Sequence, residues 1–600
     1  MIPTVFPRSA SWVAVVALLV LTAAACDSGG DGPSDPDTQV ALSFAPDASY
    51  VVGNDVGVTA TVTTVDGDPV EGDTVAFSGD GSFQPSTGTT DADGEVVATW
   101  TLATDKTGAD AQFVRVETAK GKSDEQSVSV NPGAVGSITA TVTDTVIAVD
   151  STTTLSVVDA ADEFGNSISD LSRYTFSWTS VTPDSAAIEG DSVGTEVTVR
   201  GLGDGMAHFS VSSGAAPDAS VSDIQKAEKA AATEVDVDVR RHELRGVWLT
   251  NVDSNVLDSR ANIREAMEYL EANNFNVVFP VVWNKAATMY PSTVMDTLLN
   301  RPIDPAYAGR DPLQEIIDEA KPRGIAVIPW FEFGFSSSYS QNGGPIIDKY
   351  PSWAAKDVNG DLLVKNGFDW MNPYRPEVQN LLMSLIMEVV NNYDIDGIQG
   401  DDRLPANPVE GGYSEYTKEL YRSEHNGQNP PTNEQNPDWK KWRADKLTAF
   451  GERVYNNVKG VDSDLIVSWS PSPYSFGYDE YLQDYPEWVD RGITDIAHPQ
   501  LYRRDVPSYK SLLSQQLSIT DRSKLLGFYP GILLKVGGYV AEPDDMVAVV
   551  KENRANDVYG EVFFFYEGLR AYNGDVTQAL VDRTVYRDPA PLPFRRASTK

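Results

Sequence analysis

The sequence predicts a multidomain chain in which two all-β sandwiches precede an α/β domain of the (β/α)8 barrel type. From residue 245 to about 570, a short apolar run ending in aromatic or acidic residues is followed by an amphipathic stretch of helical length, and the pattern occurs eight times. Residues 38–230 instead alternate apolar and polar residues in short runs divided by Gly and Asp turns. A length of 600 residues leaves room for about three or four domains.

The N-terminus reads as an export signal over residues 1–26. Arg8 precedes an apolar stretch from Trp12 to Leu21, and the small residues Thr22-Ala23-Ala24-Ala25 lead to Cys26. Cys26 is the only cysteine. Its place at the cleavage junction resembles the lipobox of bacterial lipoproteins, with Ala23 where the usual Leu stands. The resemblance implies acylation of that thiol and a membrane partner through a lipid anchor on Cys26. Residues 27–37, rich in Gly, Asp, Ser and Pro, read as a flexible tether. The expected location is the bacterial cell envelope. With no possible disulfide, the domains must be held by their cores.

Charge is unevenly spread. The net formal charge is −40, and residues 27–236 hold 35 Asp and Glu against 8 Lys and Arg, a difference of −27. Such a surface repels nucleic acid and anionic lipid, so no nucleic-acid partner is expected.

Two β modules follow the tether, at 38–131 and 132–230. In the first, Val56-Gly57-Val58-Thr59-Ala60-Thr61-Val62 and Glu95-Val96-Val97-Ala98-Thr99-Trp100 alternate as half-buried strands. The stretch from Asp66 to Phe77, followed by Thr90-Asp91-Ala92-Asp93-Gly94-Glu95, resembles bacterial immunoglobulin-like domains of invasin-type surface proteins. The second module repeats the style from Ile138-Thr139-Ala140-Thr141-Val142 to Thr195-Glu196-Val197-Thr198-Val199. Neither carries a catalytic constellation, so both read as spacers or as glycan- or protein-binding modules. Residues 231–240 are expected to be a linker, 241–585 the barrel and 586–600 a tail.

The eight runs of the barrel are Arg245–Asp253, Phe275–Asn284, Ile325–Phe335, Ile395–Arg403, Leu465–Tyr474, Ile493–Tyr502, Leu525–Gly531 and Gly560–Leu569. Strands alternating with helices imply parallel pairing through right-handed crossovers, and such barrels carry their chemistry at the C-terminal strand ends. The fourth run ends Gly400-Asp401-Asp402-Arg403. Adjacent acids are costly there unless charge is wanted, and a nearby cation offsets the cost. In an alternating strand the two point to opposite sides, so at most one faces the pocket. The structural alternative is an acid pair capping the next helix. Glu332 ends the third run, and Glu567 emerges from the aromatic eighth, where a salt bridge to barrel loops is the competing reading.

Carboxylates across a barrel mouth are what glycosidic hydrolysis needs. One protonates the leaving oxygen, and another attacks the sugar carbon or activates water. Aromatic residues fit a sugar cleft as well: Trp248, Trp283, Trp330 and Trp469 end the first, second, third and fifth runs, and Tyr502, Tyr529 and Tyr566 lie near the last three ends. Any one of these rings could equally be core. Arg403 and His498 complete the expected substrate contacts. The four histidines, His208, His242, His425 and His498, form no paired motif, the barrel shows no G-x-S-x-G elbow, and no Gly-rich phosphate loop precedes a helix there. No metal and no cofactor is expected.

The same residues carry a family resemblance. Arg245-Gly246-Val247-Trp248-Leu249-Thr250-Asn251-Val252, Asn276-Val277-Val278-Phe279-Pro280-Val281-Val282-Trp283, Ala320-Lys321-Pro322-Arg323-Gly324-Ile325, Asp396-Gly397-Ile398-Gln399-Gly400-Asp401-Asp402 and Pro499-Gln500-Leu501-Tyr502 together resemble the glycosyl hydrolase-like 10 domain over about Arg245 to Tyr572. The resemblance implies a TIM-barrel hydrolase of exported bacterial proteins, some of which act on peptidoglycan glycan strands stripped of peptides. It matches Asp401 and Asp402 to the family acids, and Glu332 to an acid after the third strand. Glu567 rests on position alone. The chain departs from the family at Val281-Val282-Trp283-Asn284, where many relatives carry Gln-Val-Arg. The expectation is therefore an exported glycoside hydrolase acting on a polysaccharide, with Asp401 or Asp402 paired with Glu332 or Glu567. The rival expectation is a non-catalytic surface protein that binds glycan through a degenerate barrel.

Overall fold

The computed structural model describes residues 37–214 and 232–594. The export signal, Cys26, most of the tether, the stretch from 215 to 231 and the last six residues lie outside the described residues. Two compact units divide the chain, one of Met1–Ala140, Val157–Ser177 and Ser212–Thr233, the other of Thr141–Ser156, Trp178–Val211 and Glu234–Lys600. None of the described helices is long and apolar enough to cross a membrane.

In the first unit, residues 38–130 form two antiparallel four-stranded sheets. One runs in the order Thr38–Phe44, Asp55–Thr64, Glu95–Thr101, Ser82–Gln84, and the other Thr87–Thr89, Thr74–Gly79, Gly108–Thr118, Ser123–Val130. Alternation in the strands decides the core: Val56, Val58, Ala60 and Val62 point inward and are buried, and they share one apolar cluster with Val75, Phe77, Val114 and Val116 of the other sheet. Trp100 sits at the centre and donates its indole N–H to the Asp80 carbonyl at 2.6 Å.

Two more four-stranded sheets follow, ordered Val146–Ala148, Ala232–Arg240, Gly205–Ser213, Phe176–Ser180 and Ala186–Glu189, Glu196–Gly201, Thr152–Asp162, Val135–Val142. The expectation of a linker at 231–240 is corrected here. Ala232–Arg240 is a strand, paired in parallel with Val146–Ala148, because Val235, Val237 and Val239 alternate with charged residues and bury one face.

The rest of the second unit alternates strands and helices, and its parallel pairings return to their start. Leu244–Leu249 pairs with Val277–Pro280, which pairs with Ala326–Val327. Bridges from Trp330 to Val281 and Gln399 connect the third segment to Gly397–Gly400. The series continues through Ile466–Trp469, Ile496–Ala497 and Gly527–Phe528. Gly531–Leu533 then pairs with Gly560–Phe564, which pairs with the first strand. Each of the eight predicted runs supplies a member, and the seventh supplies Gly527–Phe528 and the start of Gly531–Leu533. Between strands lie helices such as Arg260–Ala272, Pro312–Ala320, Pro376–Asn392, Pro437–Val461, Val506–Ile519 and Pro543–Ala555. Their starts are written in the sequence: Asp311, Asn436 and Asp505 each accept a backbone N–H from three residues onward, and a proline occupies the first helical turn.

At the N-terminal ends of the strands, a buried charge network replaces apolar packing. Arg554 donates to Glu243 Oε1 at 2.8 Å and to Glu561 Oε2 at 2.7 Å, and Arg245 Nε donates to Glu243 Oε2 at 2.8 Å. Burial alone would raise the Glu243 carboxyl, but Arg554 and Arg245 outweigh it and hold it below its ordinary value. The described part of the expected tail is likewise corrected. Tyr586 is fully buried and bonds Glu561 at 2.8 Å, while carbonyls of Asp588 and Ala590 accept from Arg245 Nη1 at 2.6 Å and Asn276 Nδ2 at 3.1 Å. These carbonyls satisfy donors at the strand starts that no strand partner reaches.

Candidate active site

The C-terminal ends of the third and fourth strands converge on one guanidinium. Arg403 Nη2 lies 3.4 Å from Asp401 Oδ2 and 3.6 Å from Glu332 Oε1, and its Nε donates to the Glu332 carbonyl at 3.0 Å. Its Nη1 donates to Asp402 Oδ2 at 3.2 Å. Asp402 Oδ1 is 3.0 Å from the same nitrogen but off the N–H axis, so it gains ion-pair attraction without a hydrogen bond. The guanidinium also stacks 4.6 Å over the Phe368 ring. Gly334 makes this convergence possible: its φ is +47°, and a Cβ there would stand 2.1 Å from the Arg403 carbonyl.

The three acids differ in setting. The Asp401 side chain is 1% exposed and saturated, taking the Trp330 indole N–H at 3.0 Å on Oδ2 and the Arg403 backbone N–H at 2.9 Å on Oδ1. Burial raises its carboxyl well above the ordinary value, with Asp402 and Glu332 adding to the rise against Arg403. Glu332 is 14% exposed and accepts from Asn284 Nδ2 at 2.5 Å; its carboxyl is also raised by burial, against the pull of Arg403 and Asn284. Asp402 is the most open of the three, at 27%. For Arg403, desolvation works against the charge, but the acids outweigh it and raise its pKa. Opposite them stands Tyr502, stacked on Phe564 at 5.2 Å; burial, then Asp402 and Asp401, hold its phenol protonated.

Other expected site residues are placed elsewhere. Trp248, Trp283 and Trp469 are buried at 1%, 0% and 1% exposure, which corrects their reading as sugar platforms. Their indole N–H groups serve the protein itself, bonding Gln399 Oε1 at 2.6 Å, the Gly334 carbonyl at 3.1 Å and the Ile493 carbonyl at 2.9 Å. Trp330 is also buried, and it reaches the site as a donor to Asp401. Tyr566 is corrected too. A helical turn begins at that residue and swings its ring against Tyr269, where its hydroxyl accepts from Arg570 at 3.1 Å. His498 is fully buried, its Nδ1 bonded to the Tyr529 carbonyl at 2.8 Å, and burial lowers its pKa to about 3, so it stays neutral. Glu567 stands apart from the arginine-centred cluster: Oε1 accepts from Ser254 at 2.5 Å, Oε2 is buried without a hydrogen-bond partner, and burial raises the carboxyl.

Several residues of the mouth were not singled out from the sequence. Asn284 is buried and ties Glu332 to Asn251, reaching the Asn251 Oδ1 at 3.1 Å. Partly open aromatic surface comes from inserts rather than strand ends. Tyr339 and Phe368 belong to a small antiparallel sheet of Ser336–Tyr339, Val364–Lys365 and Phe368–Trp370, and Phe476 and Tyr481 to the helix Phe476–Tyr481. Tyr481 feels the Asp402 charge, which adds to burial in raising its phenol. The available signal was length: the third and fourth runs are separated by far more chain than one crossover helix needs.

Part of the chain is similar to known proteins. The model of the family described as glycosyl hydrolase-like 10 matches residues 243–535. Glycosyl hydrolase DigH of Escherichia coli is 25% identical over 307 residues, which are 43% of this chain and 65% of that protein. Glycosyl hydrolase YngK of Bacillus subtilis is 22% identical over 303 residues, 43% of this chain and 54% of that protein. The chain thus spans 65% and 54% of the length of these two relatives. Among solved structures, the PgaB (BpsB) glycoside hydrolase domain from Bordetella bronchiseptica aligns with a TM-score of 0.43 at 12% identity, covering 57% of this chain and 99% of that one. Residues 243–535, just under half of the chain, are thus the part that matches the glycosyl hydrolase-like 10 family.

Proposed function

We propose that the chain is an exported glycoside hydrolase, lipid-anchored at Cys26, whose two immunoglobulin-like modules space a catalytic (β/α)8 barrel from the membrane. Its substrate class is a polysaccharide, with peptide-free glycan strands of peptidoglycan as the first candidate. The observation that carries the reading is the meeting of Asp401, Asp402 and Glu332 on Arg403 at the C-terminal strand ends.

The settings of the acids suggest their roles. Glu332, raised by burial and partly open, is the proton donor to the leaving glycosidic oxygen. Asp402, the most open acid, is the nucleophile or the base that activates water. Asp401 is a positioning residue, since its oxygens are committed to Trp330 and Arg403. Arg403 sets its guanidinium beside Asp402, 3.0 Å from Oδ1, while Glu332 is the acid whose carboxyl burial raises. Tyr502 and the partly exposed rings of Phe368 and Tyr481 offer hydroxyl contacts and apolar surface to sugar rings.

The test is digestion of peptide-free glycan strands and neutral polysaccharides by the purified full chain, beside Asp402→Asn and Glu332→Gln. Release of fragments by the parent, lowered about 10²- to 10⁴-fold in each variant, is the expected result. No release from any substrate, with glycan still bound, replaces the hydrolase by a binding protein.

A further inference from the structure

The hairpin after the second strand holds two non-glycine residues in the left-handed region. Trp283–Asn284 pairs antiparallel with Ala287–Thr288, and the two-residue turn between them has φ 49° at Lys285 and 56° at Ala286. A tight turn with both central residues at positive φ normally takes Asn-Gly. A side chain is disfavoured in this region, and strain of this kind persists where surrounding structure enforces it, often at functional sites. The enforcement is visible: Ala286 is buried, and Asn284 is locked to Glu332 and Asn251.

The turn leaves Lys285 exposed, rooted next to Asn284 and close enough to Glu332 for its charge to lower that carboxyl against burial. Among the described residues, no carboxylate lies within ion-pair distance of Lys285, because Arg403 takes all three acids. Asn284 Oδ1 is buried beside it without a hydrogen-bond partner. Among the described residues, Lys285 thus gives the mouth a second cation besides Arg403, one without a carboxylate partner, in a chain whose net charge is −40.

We propose that Lys285 is a substrate-binding residue that recognises a carboxylate on the sugar beside the scissile bond, so that this site selects an acidic glycan. The inference rests on the glycosidase reading above. An acidic chain that accepts an acidic polymer needs a local cation at the point of contact, and the strained turn fixes one there.

Binding is measured with full-chain Asp402→Asn and soluble peptide-free peptidoglycan oligosaccharides, either native or with their lactyl carboxyls reduced to alcohols. The expected result is about tenfold tighter binding of the native form, weakened by salt, lost in the added Lys285→Met and restored by Lys285→Arg. Thermal melting of the Lys285 variants should match the parent, because the side chain is exposed. Equal affinity for both glycans, or a preference that survives Lys285→Met, overturns the proposal while leaving the hydrolase reading intact. Binding of neither glycan overturns the proposal, and parent turnover on neutral polysaccharide then decides the hydrolase reading separately.

Discussion

Trp330 and Asp401, on neighbouring strands, are joined by an indole N–H to carboxylate hydrogen bond of 3.0 Å. The bond spans a junction where the third and fourth strands meet through a single isolated bridge, Trp330 to Gln399, so it ties the two acid-bearing loops where the strand pairing is thin. It also commits Asp401 Oδ2 to the scaffold. The acids left open to a ligand are therefore Asp402 and Glu332, each from a different strand end.

Under the proposed proton-donor role, the raised Glu332 carboxyl should set the alkaline side of the activity profile. A proton donor works only while protonated, so kcat/KM should fall as pH rises through the elevated Glu332 value. Glu332→Gln should remove that limb and leave a low, flat residual rate. The measurement is a pH–rate profile of parent and variant on the same glycan. An unchanged limb in the variant assigns the proton to another group.

Buried and open aromatic residues should separate cleanly. Trp469 is 1% exposed and packs 5.9 Å from Trp488, so Trp469→Ala should cost about 3–5 kcal/mol of stability. Phe476 is 56% exposed, so Phe476→Ala should change stability by less than about 0.5 kcal/mol while weakening glycan binding. Denaturant unfolding and glycan titration of the two variants check both halves.

At the opposite end, Arg554→Met leaves Glu243 and Glu561 buried with reduced compensation and should cost about 3–5 kcal/mol. The parent's pH response follows from the lowered Glu243 carboxyl. Its stabilising share is fully present above the unfolded carboxylate value and is lost as pH falls through the depressed folded one. The variant should lose most of this acid-side dependence in thermal melts run across pH 3–6, taken as about the carboxylate range.

The strands were legible because apolar runs and turn residues mark them directly. The acid cluster was legible because Asp401, Asp402 and Arg403 are consecutive at a strand end. Sequence does not say which side of a strand end a ring faces, and Trp248, Trp283 and Trp469 turn inward to bond carbonyl or amide oxygens. Nor does it reveal the turn at Lys285, since Lys-Ala carries none of the glycine or asparagine signal of such a turn. The strand Ala232–Arg240 was missed because its inward valines alternate with charged residues beside an Ala- and Glu-rich stretch.

The closure of the parallel strands bears on how the chain reaches its folded state. The first strand, Leu244–Leu249, takes its second neighbour from Gly560–Phe564, and its Arg245 finds acceptors in the carbonyls of Val585 and Asp588. A polypeptide threaded N-terminus first across a membrane therefore emerges with that edge open for more than three hundred residues of passage. During that interval the strand is an exposed template for pairing with other chains, and loop closure over such a separation is slow. Under the proposed export, folding should thus depend on a holding factor at the exit side, or on the acidic leading modules keeping neighbouring chains apart.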